Sequence, residues 1–268
     1  MPRDDAALLA ALDPFHIVAL SHVSTRPFSE CFVGVHGPSG SRVFVKVLQS
    51  REQGIRRNFV REVGILRTLS GQPGFPLLLA ASLEPALLFH ACAHLPFRTL
   101  QAVVRGQDPQ DLRGIVRHAA ALARWVRGLH GRGYAHRDLS PDHVFVDGDR
   151  ALTVVDFGMA KRVVDLPAAD ARLCRGYDLQ AFGMIVWELI CGRPVFSYRG
   201  ERLASELAVE IGLIRVLPLP AEFVRVVAGC LGARSEFTPD GLALDVAFQD
   251  AADLEAAVLA LPVCALPE

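Results

Sequence analysis

Two carboxylates constrain this chain more than any other feature. In "HRDLSPDHVFV" (His136–Val146) and the following "VVDFGMA", Asp138 and Asp156 stand eighteen residues apart. Between them lie two short runs rich in β-branched residues, "VFV" and "LTVV", which predict a strand pair. The expectation is that a loop and a strand end deliver the two acids to one cleft.

The rest of the chain changes character near residue 100. Before it, "HIVALSHV", "ECFVGVH", "RVFVKVL", "PLLLAAS" and "ALLFHAC" are short apolar runs parted by turn residues, with "GPSG" as a hairpin turn. One helix interrupts them: Phe59, Val63, Leu66 and Leu69 recur at spacings of four and three. After it, a helical stripe of Leu112, Ile115, Val116, Ala119, Ala123, Val126 and Leu129 covers 111–130. "DLQAFGMIVWELI" (Asp178–Ile190) is apolar on most sides, as a buried helix would be. Weaker helices are expected over 202–211, 221–231 and 250–261. The expectation is one domain, 1–268: a small lobe over about 14–92, a link over about 91–96 and a larger helical lobe over about 97–262.

Composition supports a folded chain. Of 268 residues, 51% are hydrophobic and 21% charged, enough for a large core. A net charge of −1 gives no support to nucleic-acid binding. The six cysteines, at 31, 92, 174, 191, 230 and 264, have no metal-site spacing and read as buried thiols in a reducing compartment. "MPRDDAALLAALDPF" has acids where a secretory leader would have bases, so a cytoplasmic chain is expected. "PLLLAASLEPALLFHACAHL" carries Glu84, Pro85 and two histidines, and reads as two buried strands rather than a membrane span.

Paired acids in one cleft can divide two tasks. One accepts a hydroxyl proton, and the other holds a divalent cation on nucleotide phosphates. Phosphoryl transfer needs both, because positioning and charge neutralisation supply most of its catalysis. At this point the chain resembles the protein kinase-like superfamily, over roughly Phe15 to Phe196, with a bacterial Ser/Thr-kinase-like character. "VFVK" is similar to the strand carrying the phosphate-binding lysine (Lys46), and "FVREVGIL" to the helix whose glutamate (Glu62) pairs with it. "GLHGRGYAHRDL" resembles the approach to the catalytic loop, and "GYDLQAFGMIVWELICGRPVF" the helix whose first aspartate, Asp178, braces that loop.

The resemblance implies an α+β, bilobal protein kinase-like fold. Its small lobe would hold an antiparallel sheet and one helix, and its larger lobe would be helical. It implies ATP with Mg²⁺ or Mn²⁺. Asp138 would be the catalytic base, Lys46 the phosphate clamp oriented by Glu62, and Asp156 a metal ligand. His143 would be a weak second metal ligand or a brace of the loop. Ser24, Arg26, Ser29, Ala91 and Ala93 would be nucleotide contacts. His136 would be structural.

Four departures qualify it. "STRPFSEC" (Ser24–Cys31) keeps the aromatic Phe28, but Ser24, Arg26 and Ser29 replace all three glycines of the phosphate-covering loop, and Pro27 removes a donor. The first expectation is a hairpin that merely covers the cleft; the alternative is that Arg26 contacts phosphate directly. His143 stands where the family has Asn, which disfavours Mg²⁺ relative to Mn²⁺; sugar kinases of the lipopolysaccharide core resemble this loop locally. Ser140 replaces a lysine, leaving Lys161 or an arginine to supply the charge. Only 22 residues separate Asp156 from Asp178, without an APE motif. The position of the arginine that would pair with that motif's glutamate falls at "FTPD" by count, so that arginine is absent as well. From Met159 to Gly176 there is no hydroxyl to phosphorylate.

Three readings follow. The first is an ATP-dependent phosphotransferase acting on a hydroxyl, protein Ser/Thr by default. The second is a pseudokinase scaffold, and the third a sugar or lipopolysaccharide-type kinase. Partners are ATP and a protein or glycan acceptor, with no nucleic acid and no membrane span.

Overall fold

The structure, a computed structural model, describes residues 5–106, 111–147, 151–198, 202–214, 220–231, 248 and 250–261. Cys264, the "FTPD" stretch and the end of the expected helical lobe lie outside the described residues. The chain divides into two compact units: Met1–Pro96 with Val155–Gly158, and Phe97–Val154 with Met159–Glu268.

The first unit is built on an antiparallel sheet. After helix α1 (Asp5–Leu12) come β1 (Ile17–Thr25), β2 (Ser29–His36), β3 (Ser41–Leu48), helix α2 (Gln53–Leu69), β4 (Leu78–Glu84) and β5 (Leu87–Ala93). Their order in the sheet is β1-β2-β3-β5-β4. Alternation decides what each face carries. Val43, Val45 and Val47 of β3 join Phe32, Phe89, Ala91 and Leu12 in one buried cluster. Burying each large side chain of this kind contributes about 1.5–3 kcal/mol. On α2, Phe59 and Val63 pack with Leu88 of β5 in a second cluster. The β3–β5 register sets Lys46 directly opposite His90. Cross-strand partners share a face, so both side chains lie away from the valine face of β3.

α1 adds a helix where the sequence predicted one helix only. Its eight residues, "DAALLAAL", are apolar nearly all round, so no periodic stripe marks them. Leu12 is fully buried, and Leu8 packs beside it. Residues 91–93, assigned by sequence to the link, complete β5, with Ala91 paired to Val45 and Ala93 to Val43.

The second unit is mostly helical. It holds β6 (Arg98–Thr99), α3 (Leu100–Val104), α4 (Leu112–Gly131), β7 (Tyr134–Ala135), β8 (Val144–Asp147), β9 (Ala151–Val154) and β10 (Lys161–Arg162). Then come α5 (Ala168–Cys191), α6 (Arg202–Ile214), α7 (Ala221–Leu231) and α8 (Ala251–Leu259). β6, β8 and β9 form one small antiparallel sheet, and β7 pairs with β10. Asp111 caps α4, its Oδ1 accepting from Gly114 N at 2.7 Å. α5 is the buried centre of the unit. At Gly183 it comes so close to α7 that a Cβ would stand 2.7 Å from Cys230 Cβ.

The start of α5 corrects the sequence reading. The helix begins at Ala168, ten residues before the expected Asp178. Ala171 and Cys174, one turn apart on the added segment, are buried with Ala135 and Val163. The second half of the segment expected as a shortened loop is therefore helix.

Cys31, Cys92, Cys174 and Cys230 are buried free thiols, and Cys191 is half-buried. Among the described residues no helix is long and apolar enough to cross a membrane.

Candidate active site

β3 and α2 build the first half of the site. Lys46 Nζ donates to both Glu62 oxygens, at 2.9 and 3.0 Å, and to Asp156 Oδ1 at 3.1 Å. Glu62 is only 2% exposed, so this carboxylate tolerates burial only while paired. Burial alone would lower the Lys46 pKa, but the charge of Glu62 and then of Asp156 outweighs it, and the ammonium is held above its ordinary range. Burial alone would raise the Glu62 carboxyl, but Lys46 and then His90 hold it below its ordinary value.

Asp156 sits in left-handed backbone, at φ 64°. That conformation is costly for a non-glycine residue and persists where surrounding bonds determine it. Here Lys46 binds Oδ1, and Gly158 N donates to the same oxygen at 3.4 Å. A Cβ at Gly158 would lie 3.2 Å from Asp156 Oδ1, a tight contact that would press on this carboxylate, and 3.5 Å from Glu62 Oε2. Phe157 is buried, with its ring 6.2 Å from that of Phe75.

The β1–β2 hairpin forms without glycine. Arg26 N donates to Ser29 O at 2.8 Å, closing the turn, and Gln49 N donates to Phe28 O at 2.8 Å. None of Ser24, Arg26 or Ser29 has positive φ, so the backbone does not call on the freedom that glycine gives. Ser24 ends up in β1 opposite Cys31, Arg26 is exposed in the turn, and Ser29 is buried at the start of β2. Ala91 is buried and Ala93 half-buried in β5.

The second unit carries the other candidates. Asp178 of α5 is fully buried. Its Oδ2 accepts from His136 N at 2.8 Å and lies 2.9 Å from His130 Nε2, and its Oδ1 accepts from Arg137 N at 2.6 Å. Arg137 also has positive φ, at 67°. Its guanidinium sits 5.6 Å from the centre of the Tyr177 ring and donates to Met159 O at 3.3 Å. One turn of α5 thus fixes the backbone on the N-terminal side of Asp138. On the other side, His143 Nδ1 lies 2.8 Å from the Asp138 carbonyl oxygen. A carbonyl only accepts, so Nδ1 carries the proton and, in the neutral ring, Nε2 carries the lone pair. His136 is fully buried, edge-on to Trp125 at 5.9 Å. Lys161 lies in β10, paired with Ala135.

The structure therefore brings Lys46, Glu62 and Asp156 together in the first unit, and Asp138 and His143 together in the second. Sequence reasoning missed His90, whose Nε2 lies 3.4 Å from Glu62 Oε1. A histidine inside the apolar run "LLFHAC" was the available signal, but the register facing it to Lys46 is set by the sheet.

Comparison with known proteins agrees with the fold. A family model described as protein tyrosine and serine/threonine kinase matches residues 27–240. The serine/threonine-protein kinase AfsK of Streptomyces griseus is 34% identical over 132 residues, 47% of this chain and 16% of the relative. PKH1 of Saccharomyces cerevisiae is 24% identical over 218 residues, 69% of this chain and 28% of the relative. Human 3-phosphoinositide-dependent protein kinase 1 is 27% identical over 114 residues, 35% of this chain and 20% of the relative. With an antiparallel sheet in one unit, helices in the other and this match over most of its length, the chain belongs to the protein tyrosine and serine/threonine kinase family of the protein kinase-like superfamily. It spans less than a third of the length of each of these relatives.

Proposed function

We propose that this chain is an ATP-dependent phosphotransferase that moves the γ-phosphoryl group to a hydroxyl, protein Ser/Thr by default. The observation that carries this reading is the three-way pairing of Lys46 with Glu62 and Asp156. A carboxylate as buried as Glu62, held by a lysine that also binds a second acid, is costly to build for stability alone, and the cluster supplies the charges that phosphoryl transfer uses.

In this reading Lys46 clamps the α- and β-phosphates, and Glu62 orients Lys46. Ser24, Arg26 and Ser29 cover the phosphates, and Ala93, at the end of β5, borders the base; Ala91 is fully buried with Val43, Val45 and Val47 and packs the other face of the sheet. The bond from the γ-phosphorus to the ADP oxygen breaks as the bond to the acceptor oxygen forms. Asp138 accepts the acceptor's hydroxyl proton.

The donor chemistry fits a divalent cation. The Asp156 carboxylate is 41% exposed in its side chain and meets Lys46 through Oδ1. His143 offers an imidazole oriented by the Asp138 carbonyl, the kind of outer hydrogen bond that fixes ligating histidines. Asp156 would hold the ion, His143 would serve a weaker second position, and the bound ion would neutralise phosphate charge. Imidazole suits Mn²⁺ better than Mg²⁺. Turnover is therefore expected to be higher with Mn²⁺, and His143→Asn should narrow the gap. An identical metal profile in the variant would make His143 a loop brace only.

Ser140 and the glycine-free hairpin favour a second reading, a nucleotide-holding scaffold. The two are separated by incubating the purified chain with ATP, Mn²⁺ or Mg²⁺, and a Ser/Thr peptide library or a glycan panel. Mass spectrometry then detects a gain of phosphate. Metal-dependent labelling supports the transferase and identifies the acceptor class; no labelling, with nucleotide bound, supports the scaffold.

A further inference from the structure

The Glu62 carboxylate has a second basic neighbour that the lysine pair does not account for. His90 lies opposite Lys46 in the β3–β5 register and is 5% exposed. Its ring stacks on Phe59 of α2, with centroids 5.5 Å apart and planes 29° apart. Phe59 and Glu62 lie three residues apart on α2, so they share a face. One imidazole thus touches α2 twice: its face meets Phe59, and its Nε2 stands 3.4 Å from Glu62 Oε1. That separation is long for a well-formed hydrogen bond but within ion-pair range once the ring is protonated.

The other groups around His90 are few. Lys46 comes from β3 and, through Lys46, Asp156. Cys92 on its own strand has Sγ 3.8 Å from Nδ1. Its partner on β4 is Ala81, which carries no charge. Among the described residues, Glu62, Asp156, Lys46 and His90 thus form one cluster. With His90 neutral, the almost wholly buried Glu62 shares the Lys46 ammonium with Asp156. With His90 protonated, Glu62 gains a second cationic neighbour.

We infer that His90 is a positioning residue for nucleotide binding, acting as an imidazolium that anchors Glu62 and α2 to the sheet while phosphate draws on Lys46. This rests on the phosphotransferase reading above and deepens it. Lys46 divides its donors between Glu62 and Asp156. Phosphate bound at Lys46 competes for those donors, and His90 keeps Glu62 paired meanwhile. Its own charge also adds to the field that attracts phosphate. Burial lowers the imidazole's proton affinity, but contact with Cys92 and the charge of Glu62 outweigh it, and His90 is raised to about 9. The sign follows: the charge is present at neutral pH and is lost as the pH rises through about 9.

Two measurements test this. In the ligand-free protein, NMR titration should show His90 losing its proton near pH 9, and substantially lower in Glu62→Gln. Titration near the ordinary histidine value of about 6.5 overturns the inference. Second, the ATP dissociation constant is measured with Mg²⁺ between pH 7.5 and 10 on the wild type, His90→Phe and His90→Gln. Phe keeps the stack on Phe59, and Gln keeps a polar group, but both lack the charge. Wild-type affinity should fall about tenfold across that range, as expected for one partly screened charge. Both variants should bind at the weaker level throughout, with the pH dependence gone. Equal pH profiles in wild type and variants overturn the positioning role. A wild type that binds no ATP at any pH overturns the phosphotransferase reading and the positioning role with it, while the NMR titration still decides whether the His90–Glu62 ion pair exists.

Discussion

Replacing Asp138 by alanine is expected to slow phosphoryl transfer by about 10²–10⁴-fold, the usual contribution of a positioned general base, with ATP affinity close to the wild-type value. The expectation follows from how the loop is held. Arg137 N is bound by Asp178 and the Asp138 carbonyl is bound by His143, so backbone bonds on both sides survive loss of the Asp138 side chain. Single-turnover kinetics at saturating ATP isolate the chemical step. Asp138→Asn, which keeps the shape but cannot take a proton, should lose nearly as much. Turnover unchanged in both variants would remove Asp138 from the mechanism.

Asp178→Ala should produce the largest loss of stability, about 3–5 kcal/mol, as when one partner of a buried charged network is deleted. Its carboxylate is fully buried and serves His136 N, Arg137 N and His130 together. Without it the two backbone donors are left to find water or stay unsatisfied, at about 1–3 kcal/mol each. The left-handed Arg137 also loses the bond that supports its conformation. Urea unfolding followed by circular dichroism should show a lower midpoint at unchanged slope. Asp178→Asn, which keeps one acceptor oxygen, should fall between the two. A loss under about 1 kcal/mol, that of a single ordinary hydrogen bond, would mean the loop is held some other way.

The strands were legible because each is a short apolar run closed by turn residues, and the helix over Phe59–Leu69 because its stripe is strict. Lys46, Glu62, Asp138 and Asp156 were legible as an ordered set, although the pairing distances are properties of sheet register and helix rotation. α1 escaped because a helix apolar on all sides has no period to find. The first ten residues of α5 escaped for another reason. "AADARLCRG" is alanine-rich and helix-favouring, but a family-like loop was expected there. Burial of Ala171 and Cys174 settles the matter in favour of local propensity. The glycine-free hairpin closes without left-handed φ at Ser24, Arg26 or Ser29, a geometry set by hydrogen bonds across the turn that the residue types alone do not announce. His90 was hidden because a histidine in an apolar strand has no meaning until its cross-strand partner is known.

The central claim is that Lys46, Glu62 and Asp156 serve a metal-bound nucleotide. The most direct measurement is thermal unfolding of wild type and Asp156→Ala against ATP concentration, with and without Mg²⁺ or Mn²⁺. A ligand that binds only the folded state raises the melting temperature by an amount that grows with the logarithm of its concentration over its dissociation constant. The account predicts a metal-dependent rise in the wild type and none in Asp156→Ala. No shift in the wild type, or the same shift with and without metal in both proteins, would contradict it.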